Sequence, residues 1–296
     1  MTAVELFAGA GGLSLGVSLA GFSHLALIEN NRDCCSTIRE NQERGVEHVV
    51  DWPLFPVDVH DVDYSFVTGE VDLLVAGPPC QPFSIGGAHR GSTDSRNLFS
   101  EVARAARAIR PRAILVENVR GLLRPSFSDF FQYVLLQLSH PDVAPMKNEE
   151  WTTHLKRLDS HNHRCSSTDI HYCFDFGHLN SPDYGIPQRR ERVFLIGFRS
   201  DIRQGWMFPK PTHSYDSLIR SQWVTGEYWE RHRVRKKSRP SAPVKLRSRI
   251  DRIRAWGDRV SDQPWVTVRD AISDLPDPSR PQLFGASNHW INPNTV

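Results

Sequence analysis

Residues 77–84 read GPPCQPFS. Pro78, Pro79 and Pro82 fix φ and remove backbone donors on both sides of Cys80. A cysteine that only fills a core needs no such frame, so this loop points to a thiol with a task. A second pattern is FAGAGG (7–12), a glycine turn entered from an apolar run. Glycines there let a ligand approach the backbone, and a following helix N-terminus favours negative charge. Glu29 stands about twenty residues further on, where an acid at a strand end accepts hydrogen bonds from ribose hydroxyls. Asp58, in PVDVHD, is placed to take an adenine amino group. Together these residues indicate a nucleoside-containing cofactor, with a dinucleotide and S-adenosylmethionine both open. The turn lacks the G-x-G-x-x-G spacing, and alone it could be only a tight turn.

Such residues need a rim to stand on. TAVELF (2–7), SHLALIEN (23–30), VDLLVAG (71–77), RAILVEN (112–118) and ERVFLIGF (191–198) read as short apolar strands. PVDVHD sits near the end of a possible third strand. The stretches 13–22, 32–42, 99–110 and 129–138 carry helical spacing. This alternation predicts an α/β fold with a doubly wound, mostly parallel sheet. Ligands in such sheets bind at the carboxyl ends of the strands. Glu29, Cys80 and Glu117 each follow an apolar run, so a thiol and two carboxylates share one rim. Two carboxylates also occur in glycosidases, but nothing else in the sequence supports that chemistry.

The totals set the bounds. The chain has 296 residues, enough for one large domain or two modest ones. Five cysteines at irregular spacing do not form a disulfide framework, and free thiols suit the reducing cytoplasm. No run is long and apolar enough to span a bilayer, and the N-terminus lacks the basic start and long apolar stretch of a signal peptide. Net charge is +2, yet Arg231 to Arg259 holds twelve Lys/Arg against two Asp. A block of that kind suits a polyanion or is a solvated loop. After residue 200 apolar periodicity weakens and tryptophans scatter at Trp206, Trp223, Trp229, Trp256 and Trp265.

FAGAGGLSLG, GPPCQPFS, ENV (117–119) and QRRERVFLIG (188–197), in this order, closely resemble the DNA cytosine-5 methyltransferases. HLNSPDYGIPQRRERVFLIG (178–197) is similar to that family's approach to its arginine motif, and TVRDAISDLPD (267–277) to a segment some members carry before their target-recognition region. The resemblance implies a Rossmann-like S-adenosylmethionine-dependent methyltransferase fold. It implies that Cys80 adds to C6 of a flipped cytosine in double-stranded DNA, and that C5 then accepts the methyl group. Glu117 would contact N3 and the exocyclic amine, while Arg192 and Arg190 would hold the base and its carboxylate partner. The cofactor site would comprise Phe7, Ala8, Gly9, Ala10, Gly11, Gly12, Leu13, Glu29, Asn30, Asp58, Val59, Pro79 and Leu98. Asn30 stands where some relatives carry an aromatic residue. Residues 84–97 read as a loop that could close over DNA.

The expected division is a catalytic domain over 1–200 and a basic extension over 201–296 leading toward a missing target-recognition region. No Gly-Asn segment of the family's final motif precedes the terminal ASNHWINPNTV, so the fold is expected to be incomplete at the C-terminus. The expectation is one subunit or fragment of a restriction–modification enzyme, completed by a second polypeptide. The alternatives are a tRNA cytosine-5 methyltransferase or an inactive relic that binds cofactor or DNA. His154, His161, His163, Cys165, His171, Cys173 and His178 cluster without two clean ligand pairs, so no metal is expected. Cys34 and Cys35 read as packing residues.

Overall fold

The computed structural model describes residues 1–79, 98–163, 171–202, 205–256 and 262–275. The chain divides into two compact units. The first contains Met1–Leu179 and Glu191–Phe208, and the second Asn180–Arg190 with the described residues from Pro209 on.

The first unit is built on β1 (Thr2–Leu6), β2 (Ser23–Ile28), β3 (Leu54–Phe55), β4 (Leu73–Ala76), β5 (Ala113–Val119), β6 (Tyr172–Asn180) and β7 (Glu191–Arg199). Its sheet order is β3-β2-β1-β4-β5-β7-β6. The strands β1 to β5 pair in parallel, and β7 runs antiparallel to β5. The order reverses between β1 and β4, the place where open α/β sheets bind ligands. This is the mostly parallel sheet anticipated from the apolar runs, in the Rossmann-like architecture that the family resemblance implied.

The period of two along each strand sorts side chains between two faces. Val4, Leu6, Leu74, Ala76, Ile114 and Val116 join one core with Phe99 and Val102 of α3 (Phe99–Ile109) and Phe130 and Val134 of α4 (Ser128–Ser139). Ala3 and Val75 pack instead with Val17 of α1 (Gly12–Leu19). Leu27 packs with Ile38 of α2 (Arg32–Glu43) and with Trp52. Helices therefore cover both faces. The Asn31 side chain starts α2 by accepting from the Cys34 amide at 3.0 Å.

Local departures from the expected ranges have local causes. The first strand stops at Leu6 because Phe7 turns to φ 59°. The helix of α1 ends at Leu19, where Ala20 and then Gly21 (φ 87°) close it. The third strand is only two residues long, and Asp58 lies beyond it, capping a short 3₁₀ turn at Val59–Asp61. Further along the chain, α5 (Trp151–Asn162) packs against α4.

In the second unit, β8 (His213–Ser214) pairs with β9 (Gln263–Pro264). Among the described residues four helices accompany them: α6 (Tyr215–Trp223), α7 (Glu227–Arg231), α8 (Arg247–Trp256) and α9 (Val268–Ala271). Leu218, Tyr228 and Trp229 form one small core, and Ile219, Ile250 and Ile253 another. The scattered aromatics and a few isoleucines thus replace a regular apolar stripe.

Candidate functional site

A cleft of about 350 Å³ opens at the carboxyl ends of β1, β2 and β4. Phe7 and Gly9 (φ 57°) leave the sheet in left-handed conformations. The Gly9 amide donates to Glu29 Oε2 at 2.7 Å, and the Asn31 amide donates to Glu29 Oε1 at 2.7 Å. Both oxygens of Glu29 are thereby oriented, and each keeps acceptor capacity for a hydroxyl. Across the cleft, Asp58 Oδ1 accepts from the His60 amide at 3.0 Å and from His60 Nδ1 at 2.7 Å. Asp58 Oδ2 accepts from Asn30 Nδ2 at 3.0 Å. The His60 amide and ring, followed by Asn30, hold the Asp58 carboxyl below the usual carboxylate range.

Phe7, Gly9, Glu29, Asn30, Asp58 and Val59 line this cleft, as do Pro79 and Leu98. The other residues of the turn sit behind it. Ala8 is buried against Leu27 and Trp52, Leu13 packs on the Val17 cluster, Ala10 is exposed, and Gly12 opens α1. Gly11 (φ 88°) lies against the Trp52 ring, which an added Cβ would strike. Ile28, Val57, His60 and Gly77 also line the cleft, and none of the four was expected there. Only their place beside strand ends could have signalled them. The set fits a nucleoside: one carboxylate oriented for hydroxyls, one kept as an acceptor, and a size within the range of small-molecule sites.

The second cluster lies along β5 and β7. Glu117 Oε1 and Arg192 Nε pair at 2.8 Å, with the two side chains 20% and 24% exposed. Arg192 Nη1 also donates to the Glu191 carbonyl at 2.8 Å. Neighbouring Asn118 is buried, and its Nδ2 donates to the Pro78 carbonyl at 3.3 Å. Thus β5 carries an acid and also anchors the start of the proline loop. Cys80 and residues 84–97 lie outside the described residues. Arg190 belongs to the second unit, and its carbonyl accepts from the Ser181 amide at 3.1 Å.

The histidine-rich stretch has structural partners. His154 is fully buried, donating to the Val143 carbonyl at 2.7 Å and accepting from the Tyr133 hydroxyl at 2.9 Å. His140 bonds Asn162 and stacks on His171. Cys165 lies outside the described residues. Among the described residues no group of three His, Cys, Asp or Glu could hold a metal ion. Burial raises the pKa of both Cys34 and Cys35, with Glu29 adding to it. Cys35 sits beneath the cleft and donates its thiol to the Glu29 carbonyl at 3.4 Å.

The model of the C-5 cytosine-specific DNA methylases matches residues 1–142 and 144–251. The chain belongs to this family. Its match to the Type II methyltransferase M.AquIA of Picosynechococcus sp. is 27% identical over 289 residues, covering 95% of this chain and 91% of that protein. M.NgoMIV of Neisseria gonorrhoeae is 30% identical over 77% of this chain and 64% of its own length. M.Eco47II of Escherichia coli is 33% identical over 74% of this chain and 44% of its own length. The chain thus spans most of the first of these Type II methyltransferases and less than two thirds of the other two. Among the described residues no helix is long and apolar enough to cross a membrane.

Proposed function

We propose that this chain methylates C5 of cytosine in double-stranded DNA within a restriction–modification system, using S-adenosylmethionine. The observation that carries the reading is the Glu117–Arg192 pair between β5 and β7, next to the residue that anchors the proline loop. Glu29 and Asp58 would hold S-adenosylmethionine, which would supply an electrophilic methyl group. The other work belongs to side chains of this chain. The Cys80 thiolate adds to C6 of a cytosine taken out of the stack, and the ring electrons move to C5. Glu117 contacts N3 and the exocyclic amine, which makes C6 more electrophilic. Arg192 orients Glu117 through its Nε. Asn118 fixes the backbone of Pro78, two residues before the thiol. Once C5 carries the methyl group, a base removes the C5 proton, the C5–C6 double bond re-forms and the thiolate leaves.

A second polypeptide is part of the proposal. The outer face of α1 exposes Leu15 and Leu19, the latter 65%, beside the glycine turn, and an apolar partner surface would cover them. The deciding experiment follows labelled methyl from S-adenosylmethionine into duplex DNA, with Cys80→Ser as control and tRNA in parallel. Label in DNA that needs the product of the adjacent reading frame and that the variant abolishes is the expected result, and label from this chain alone would remove the second polypeptide from the proposal. Label only in tRNA would move the substrate to RNA. Label in neither, persisting after the product of the adjacent reading frame is added, would leave a relic that binds without turnover.

A further inference from the structure

We propose that Asn30 and His60 are positioning residues that fix the Asp58 carboxylate as an acceptor for the amino edge of a purine, so that the cleft selects amino purines over oxo purines. The inference rests on the cofactor reading above and adds its base selectivity.

The Asp58 side chain is 44% exposed and that of His60 is 54% exposed, so packing does not hold the carboxylate. Three hydrogen bonds do, two from His60 on Oδ1 and one from Asn30 on Oδ2. A carboxylate offers about four lone-pair directions, which leaves roughly one for a ligand. The remaining direction belongs to Oδ2, the oxygen that Asn30 orients. All three residues line the same cleft.

The turn that carries Asp58 and His60 is held independently of Asn30. Arg104 on α3 donates to the Val59 carbonyl at 2.6 Å and to the Val62 carbonyl at 2.9 Å. Removing the Asn30 amide therefore releases Oδ2 while the turn and the two bonds on Oδ1 remain. An amino purine presents an N–H to the open acceptor. A 6-oxo purine presents a carbonyl oxygen there, and two acceptors then face each other. A site built to bond a polar group rejects an analogue lacking it much more strongly than an apolar pocket rejects a methylene.

The test is calorimetric binding of S-adenosylhomocysteine and S-inosylhomocysteine to the full chain. Wild type is expected to favour the adenosyl ligand at least about tenfold, the scale of a hydrogen bond to a charged group. Asn30→Ala is expected to weaken adenosyl binding about tenfold and inosyl binding little, so the ratio collapses. His60→Ala, which keeps the backbone amide, is expected to lower the same ratio by less. A loss of fold lowers both affinities together, so an unchanged ratio in both variants overturns the proposal. If that ratio is unchanged while Glu29→Ala abolishes binding, the cofactor reading survives and this inference fails. If Glu29→Ala binds like wild type, the cofactor reading fails and this inference falls with it.

Discussion

Glu117 and Arg192 meet through Nε at 2.8 Å while each keeps about a fifth of its surface open. An ion pair of that exposure adds little to stability. On the proposed function its value would lie in aiming a carboxylate at a base. Glu117→Gln keeps the shape and removes the charge, so methyl transfer should fall about 10²- to 10⁴-fold while DNA binding changes little. Arg192→Lys keeps the charge but loses the planar fork, so it should also slow transfer. Single-turnover rates together with DNA affinity check both, and a large drop in affinity with an unchanged rate would contradict the assignment. That Glu29, Asp58 and Glu117 fall on or just past strands was legible in the sequence, because apolar runs precede them. Their partners were not. The amides on Glu29, the ring of His60 and the bond from Asn118 to Pro78 depend on which strand lies beside which. A linear pattern does not carry that adjacency.

Elements set these positions through packing that reaches behind the site. Trp52 lies 6% exposed with its ring against Gly11, and its Nε1 donates to Ser18 Oγ on α1 at 3.0 Å. Beside it, buried His24 donates to Glu5 at 3.0 Å and stacks edge-on to Trp52. Both the φ of 88° at Gly11 and the ring exclude a side chain there. Gly11→Ala should lower the melting temperature and shrink the stabilisation given by S-adenosylhomocysteine, a backbone strain of about 1–3 kcal/mol plus the displaced ring. Thermal unfolding with and without ligand measures both effects, and a wild-type shift would show that the turn tolerates the change.

Strands β1, β2, β4, β5 and β7 and helices α1 to α4 of the first unit were legible from periodicity, whereas α5 and β6 were not. Nor were the two-residue β3 and the helices of the second unit. Their cores rest on isolated aromatics such as Tyr228 and Trp229, and on polar caps. One cap is Asp270. Burial works against its charge, yet Thr267 and Arg231 bring its pKa down to about 2. An unfolded aspartate titrates near pH ~3.9. The stabilisation is therefore complete above that value and lost as pH falls toward 2. Asp270→Asn should cost stability at neutral pH and close the gap to wild type in acid. Unfolding measured across pH would refute this if the gap stayed constant.

At the scale of the molecule the charge is sorted along the chain. The block from Arg231 to Arg259 carries twelve basic residues and two Asp, while the whole chain is only +2. Part of the block is spent within the fold. Arg231 pairs with Asp270, Arg249 with Asp216, Arg239 with Glu230 and Arg254 with Asp251. Arg233, Arg235, Lys236, Lys237, Lys245, Arg247 and Arg252 are exposed and make no ion pair among the described residues. Cations left over after the fold has used its share suit phosphate contacts, which position a protein on DNA without reading bases. Each contact releases counterions, so log affinity falls with log salt by about 0.9 per phosphate neutralised. Removing both Lys236 and Lys237 should flatten that slope by about 2 and weaken matched and unrelated duplexes alike. Removing Arg249 should instead disturb folding, because its guanidinium closes on Asp216 and lies 5.0 Å from the Tyr215 ring centre. Fluorescence anisotropy over a salt series separates the two kinds of arginine and lysine. An unchanged slope in the double variant would make the lysines a solvated surface and move the phosphate contacts elsewhere on the chain.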